Sequence, residues 1–76
     1  MNIKVYSTPT CPYCHMAKDY FTAKNVQFTD IDVSKDNESL QEMVKVSGQM
    51  GVPVITIGDE VIVGFDKSRI ESLIGE

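Results

Sequence analysis

Thr10-Cys11-Pro12-Tyr13-Cys14-His15 holds both cysteines of this 76-residue chain. A short apolar strand, Ile3 to Tyr6, ends just before it, and a helical pattern, Pro12 to Lys24, begins inside it. Pro12 suits the first helical position, where its missing N–H has no partner to lose. Cys11 then stands at the helix start, facing unpaired N–H groups and the positive end of the helix dipole. Both favour a thiolate, the reactive form of cysteine. Cys14 lies three residues on and shares a helix face with Cys11. This arrangement predicts that Cys11 attacks a disulfide and that Cys14 resolves the mixed disulfide so formed.

Other chemistries use the same letters. Cys-x-x-Cys-His is the attachment pattern of c-type haem, which calls for an exported and mostly helical chain. A structural zinc site takes about four ligands. Two cysteines and one histidine, His15 directly after Cys14, do not supply them within one chain. A permanent structural disulfide across so short a loop would constrain the unfolded chain little. The strand-to-helix setting favours redox exchange over all three, with no metal site.

Outward from this stretch the pattern is regular. Ile3 and Val5 alternate with polar neighbours, as in a strand, and Ser7-Thr8-Pro9-Thr10 reads as a turn. Cys14, Ala17, Tyr20 and Phe21 form one helix face, with Lys18, Asp19, Thr22 and Lys24 outward. Asn25 is the expected stop, since asparagine tolerates a left-handed C-cap. His15 points to solvent. A second strand is expected from Gln27 to Asp32, with a bulge or strand end where the apolar phase shifts from Val26 and Phe28 to Ile31 and Val33. Alternation places Asp30 and Asp32 on one solvated face. Ser34-Lys35-Asp36-Asn37 offers helix caps, Leu40, Met43, Val44 and Ser47 mark a second helix, and Gly48 ends it. Val54–Ile57 and Glu60–Val63, joined by Gly58-Asp59, read as a hairpin. Asp66 caps a last helix with Ile70, Leu73 and Ile74 inward. The order is β-α-β-α-β-β-α, an α/β fold with a four-stranded mixed sheet flanked by three helices. Its first two strands should run parallel.

Composition sets the remaining bounds. The length fits one domain, 1–76, near the lower limit for independent folding. With 42% hydrophobic and 24% charged residues the chain is globular in type. Seven basic against 11 acidic side chains give a net charge of −4, with the basic ones scattered. That excludes the basic stripe of a nucleic-acid binder. No apolar run approaches the ~18 residues of a membrane span. The N-terminus reads as a strand rather than a signal peptide. A cytoplasmic protein is expected, in a compartment where a cysteine pair is catalytic or metal-binding rather than structural.

Cys11-Pro12-Tyr13-Cys14 resembles the active site of the dithiol glutaredoxins, which have the smallest version of the thioredoxin fold. The resemblance runs through nearly the whole chain: Thr10 to His15, then Ser47-Gly48, Val52-Pro53 and Gly64-x-Asp66, in order. It implies a thiol–disulfide oxidoreductase that reduces protein disulfides or glutathione mixed disulfides. Cys11 and Cys14 would be catalytic, Pro12 and Tyr13 would tune the pair, and Thr8, Val52, Pro53, Gly64, Phe65 and Asp66 would hold the substrate or glutathione. Pro53 would be a cis-proline facing the disulfide, and the Val52 backbone would pair with an extended substrate. Gly64, Phe65 and Asp66 would meet the γ-glutamyl end of glutathione through N–H groups at the last helix start. The resemblance further implies a monomer with no tightly bound cofactor and glutathione as co-substrate.

The chain departs from that pattern where glutathione would sit. Thr8 stands where glutaredoxins usually carry a lysine or arginine, Gly51 replaces the threonine of Thr-Val-Pro, and Val63-Gly64 replaces Gly-Gly. A charge-assisted hydrogen bond contributes ~1.5–3 kcal/mol, one to two decades of affinity. Val63-Gly64-Phe65 leans toward the glutaredoxin-like redoxins, which take electrons from thioredoxin reductase and pass them to ribonucleotide reductase. That branch usually lacks the Pro-Tyr pair. A third alternative is a [2Fe–2S] cluster shared between two chains, which a stiff Pro12 disfavours.

Overall fold

The computed structural model describes residues 2–75. The ends of the expected 1–76 domain, Met1 and Glu76, lie outside the described residues. The elements are β1 (Ile3–Ser7), α1 (Pro12–Ala23), β2 (Thr29–Asp32), α2 (Asn37–Ser47), β3 (Val54–Ile57), β4 (Glu60–Val63) and α3 (Lys67–Ile74). The sheet order is β2-β1-β3-β4. β1 and β2 are parallel, and β1–β3 and β3–β4 are antiparallel. The expected element order, the mixed sheet, the parallel first pair and the Gly58-Asp59 hairpin are all present.

Strand periodicity splits the core between the two faces of the sheet, because successive side chains point to opposite sides. Ile3, Val5, Ile55, Ile57 and Ile62 face α1 and α3, where they meet Ala17, Phe21 and Ile70. Tyr6 and Val54 face the other way and pack with Val33 and Met43 of the α2 layer. Phe21 is central to the first layer. Its ring lies 5.7 Å from that of Tyr20 and 5.6 Å from that of Phe28.

This two-sided core corrects the expectation for β2. The strand starts at Thr29, not Gln27, so of the bulge or strand end expected at the apolar phase shift the structure has a strand end. Phe28 packs with the α1 layer and Ile31 with the α2 layer. Three residues apart in extended chain, they should point to opposite faces. The shift is a change of layer. Before it, the Val26 N–H donates to the Phe21 carbonyl at 2.9 Å, which ties this segment to the end of α1 instead of to β1.

The helix ends follow their residues. α1 stops one residue earlier than expected, at Ala23, and Asn25 adopts φ 57° immediately after the Lys24 cap. Asp36 caps α2, its carboxylate accepting from the Glu38 N–H at 3.1 Å and the Ser39 hydroxyl at 2.8 Å. Asp66 caps α3 by accepting the Arg69 N–H at 3.3 Å. Among the described residues, no helix is long and apolar enough to cross a membrane.

Candidate active site

The sheet register brings four connections to one end of the molecule, the β2–α2 connection among them because Ser7 pairs with Asp32. β1 runs toward Ser7 and leads to Cys11, while Tyr6 pairs with Val54, the first residue of β3. Val54 in turn pairs with Val63, the last residue of β4. The start of α1, the Val52–Pro53 segment and the Gly64–Asp66 turn therefore gather at that end.

Cys11 and Cys14 form a disulfide, with Cα atoms 5.2 Å apart. Cys11 is the N-cap of α1, in extended conformation, with Pro12 following at the first position. The Cys14 N–H donates to the Cys11 sulfur across 3.2 Å. In the reduced protein the same N–H would face the Cys11 thiolate and stabilise it. The two cysteines differ in access: Cys14 is fully buried, whereas Cys11 is partly exposed. Tyr13, between them, is 62% exposed, a large surface beside the pair.

Before Cys11 the turn is held at two points. The Cys11 N–H donates to the Thr8 carbonyl at 3.3 Å. The His15 ring Nε2 lies 2.9 Å from the Pro9 carbonyl, so it carries the proton there and donates. His15 is exposed, as expected, yet its ring is engaged by the turn. Below the turn, Ser7 is buried and its hydroxyl donates to Asp30 at 3.0 Å. Lys18 pairs with the same carboxylate at 3.2 Å, so it is not a free outward lysine.

The Val52–Pro53 peptide bond is cis. The Pro53 carbonyl accepts the Gly64 N–H at 2.8 Å and so joins this segment to the Gly64–Asp66 turn. Gly64 has φ 87°, a conformation glycine adopts without penalty, and the space a Cβ would occupy is open. Its N–H is already engaged, so what it offers a ligand is clearance. The Phe65 ring packs inward, 5.9 Å from Tyr20 in an edge-to-face arrangement, which leaves its backbone for any ligand. The Asp66 carboxylate serves α3. No cation stands at Thr8 or along Gln49-Met50-Gly51. Met50 is 68% exposed.

Three further polar side chains belong to this end. Gln49 bonds back onto Gly51, Ser7 is a buried hydroxyl, and His15 braces the turn before Cys11. Polar residues flanking a cysteine motif and a cis-proline were the available signal. Only Ser7 takes its partner, Asp30, from a distant segment. Among the described residues, no group of three or more histidine, cysteine or acidic side chains is arranged to hold a metal.

The model of the glutaredoxin family matches residues 3–62, from the first strand through the hairpin. The chain belongs to the glutaredoxin family. It is 50% identical over 72 residues to an uncharacterised glutaredoxin-like 8.6 kDa protein in the rubredoxin operon of Clostridium pasteurianum, covering 95% of this chain and 96% of that one. It is 38% identical over 65 residues to glutaredoxin 3 of Escherichia coli K12, covering 86% and 78% of the two chains. Among solved structures it is similar to the glutaredoxin-like protein NrdH-redoxin from Escherichia coli. That match has 29% identity, a TM-score of 0.84, and coverage of 96% and 95%. Membership makes this chain a thiol–disulfide oxidoreductase of thioredoxin fold with a redox-active cysteine pair. Glutaredoxins need no tightly bound cofactor for that chemistry.

Proposed function

We propose that this glutaredoxin-family protein reduces disulfides of other proteins by dithiol exchange, with Cys11 as the attacking sulfur and Cys14 as the resolving one. The carrying observation is the asymmetry of the pair. Cys11 caps a helix, accepts the Cys14 N–H at 3.2 Å and is accessible, whereas Cys14 is buried. The Cys11 thiolate attacks one sulfur of the substrate disulfide, and the other leaves as a thiolate that takes a proton. Cys14 loses its proton and attacks Cys11. This forms the Cys11–Cys14 bond and releases the second substrate thiol. Two electrons leave the protein and two thiols are formed. An extended substrate lies along Val52, where backbone groups provide strand-like hydrogen bonds, with Tyr13 beside it.

Glutathione, supplying two electrons per cycle from two molecules, fits the cleared backbone at Gly64 and the start of α3. Thioredoxin reductase is the second reading for the donor. It is supported by the missing cation at Thr8 and by the likeness to NrdH-redoxin, a glutaredoxin-like protein described by its thioredoxin-like activity profile. In that case ribonucleotide reductase is the candidate recipient. The protein is taken as a cytoplasmic monomer in either case.

The test is reduction of the oxidised protein by glutathione with glutathione reductase, and separately by thioredoxin reductase, each followed by NADPH consumption. Turnover with glutathione supports the first donor. Turnover with thioredoxin reductase alone supports the second. No turnover with either would overturn the reading.

A further inference from the structure

Gln49 folds back onto its own loop. Its side-chain Oε1 accepts the Gly51 N–H at 2.5 Å, and its Nε2 donates to the Gly51 carbonyl at 3.1 Å. A side chain here makes the pair of bonds that a neighbouring strand would make. The same Nε2 lies 3.3 Å from the Ser47 hydroxyl, which donates to the Met43 carbonyl at 2.6 Å inside α2. The last turn of α2 is thereby tied to the residue just before Val52.

Gly51 fits the same arrangement. A Cβ at that position would lie 2.7 Å from Gln49 Oε1, closer than real Cβ contacts come. Gly51 is not among the glycines with positive φ, so its backbone conformation does not demand glycine. A Cβ there would instead push the flexible Gln49 amide aside. Met50, enclosed between the two paired residues, is left at the tip of the loop.

We propose that Gln49 is a positioning residue for disulfide exchange: by occupying both main-chain groups of Gly51 it fixes the approach to Val52–Pro53 and confines strand-like pairing with a peptide substrate to Val52. The proposal rests on the reading above, in which the Val52 backbone receives the substrate. Its consequence is selective. A disulfide set in a peptide needs the fixed backbone, whereas a small disulfide without a main chain needs only the cysteines.

The experiment is single turnover of chemically reduced, desalted protein, which requires no electron donor. Wild type, Gln49→Ala, Gly51→Ala and the double variant are mixed with excess of a disulfide-cyclised peptide or of hydroxyethyl disulfide. Gln49→Ala should slow the peptide reaction about three- to tenfold and leave the small disulfide within about twofold. Gly51→Ala should do the same by expelling the amide. The double variant should be no slower than Gln49→Ala, because residues acting through one contact are not additive. Unchanged peptide rates in Gln49→Ala, equal slowing of both disulfides, or additive losses in the double variant would each overturn the proposal. Wild type inert toward both disulfides would instead overturn the exchange reading, and the role of Gln49 with it.

Discussion

The Cys14 N–H points at the Cys11 sulfur across 3.2 Å, and only Cys11 of the two is accessible to another molecule. In the proposed exchange, position on the helix makes Cys11 the attacking sulfur and Cys14 the resolving one. Cys11→Ser should reduce disulfide reduction to the uncatalysed background. Cys14→Ser should still attack, so incubation with an oxidised protein should build up a mixed disulfide on Cys11. Peptide mapping by mass spectrometry reads this directly, and a mixed disulfide mapped to Cys14 in the reverse variant would reverse the assignment. Cys14→Ser should also retain removal of glutathione from a glutathionylated peptide while losing dithiol reduction of proteins.

Thr8 precedes Cys11 by three residues, and its carbonyl accepts the Cys11 N–H, so the turn holds it beside the pair. Glutathione is anionic, and a lysine there would supply a charge-assisted hydrogen bond. We expect Thr8→Lys to lower KM for a glutathionylated peptide about three- to tenfold, with kcat little changed. The estimate takes the low end of such bonds because the position is partly solvated. An unchanged KM would show that glutathione does not approach this side chain.

Asp36 and Asp66 are both helix caps, but Asp66 follows the Gly64 turn that bonds to Pro53, whereas Asp36 follows β2, the edge strand away from β3 and β4. Replacing a capping aspartate with alanine costs about 1 kcal/mol. Asp36→Ala should lower stability by that amount in urea denaturation and leave the exchange rate intact. Asp66→Ala should lower stability similarly and also weaken turnover with glutathione. Equal kinetic effects of the two variants would argue against a ligand at the start of α3.

Tyr6 is almost fully buried, and its hydroxyl is held by the Glu42 carboxylate. Burial first, then the nearby negative charge and that hydrogen bond, raise its pKa above the ordinary 10.0. An unfolded chain ionises Tyr6 at its ordinary value while the folded one keeps it neutral. Its contribution to stability is thus fully present below about pH 10 and is lost as pH rises through the folded pKa. Alkaline titration followed by phenolate absorbance should show a late step coincident with unfolding and absent in Tyr6→Phe. A Tyr6→Phe profile identical to wild type would exclude Tyr6 as its source. At the acid end, hydrogen bonds from Ser34 hold Asp32 below the usual carboxylate range. The stability it adds is present above the unfolded pKa and is lost as pH falls through the folded one.

The order of elements was legible because each carries a local signal. Pro12 opens α1, Asn25 takes the left-handed turn after it, Asp36 and Asp66 accept N–H groups, and Gly58-Asp59 turns the hairpin. These effects act within one helical turn or one hairpin, so the residues themselves encode them. The cysteine pair was legible for the same reason, since cap, proline and three-residue spacing are local.

Tertiary structure decided what joins distant segments. Phe28 and Ile31 looked like a fault in one strand, until layers on both faces of the sheet gave each its own side. Lys18 looked outward until Asp30, from β2, came within 3.2 Å. The Pro53 carbonyl met the Gly64 N–H only after β3 and β4 had paired. Local propensity fixes which groups are offered along the chain. Which of them meet depends on the packing of the two layers against the sheet, and that is a property of the whole chain.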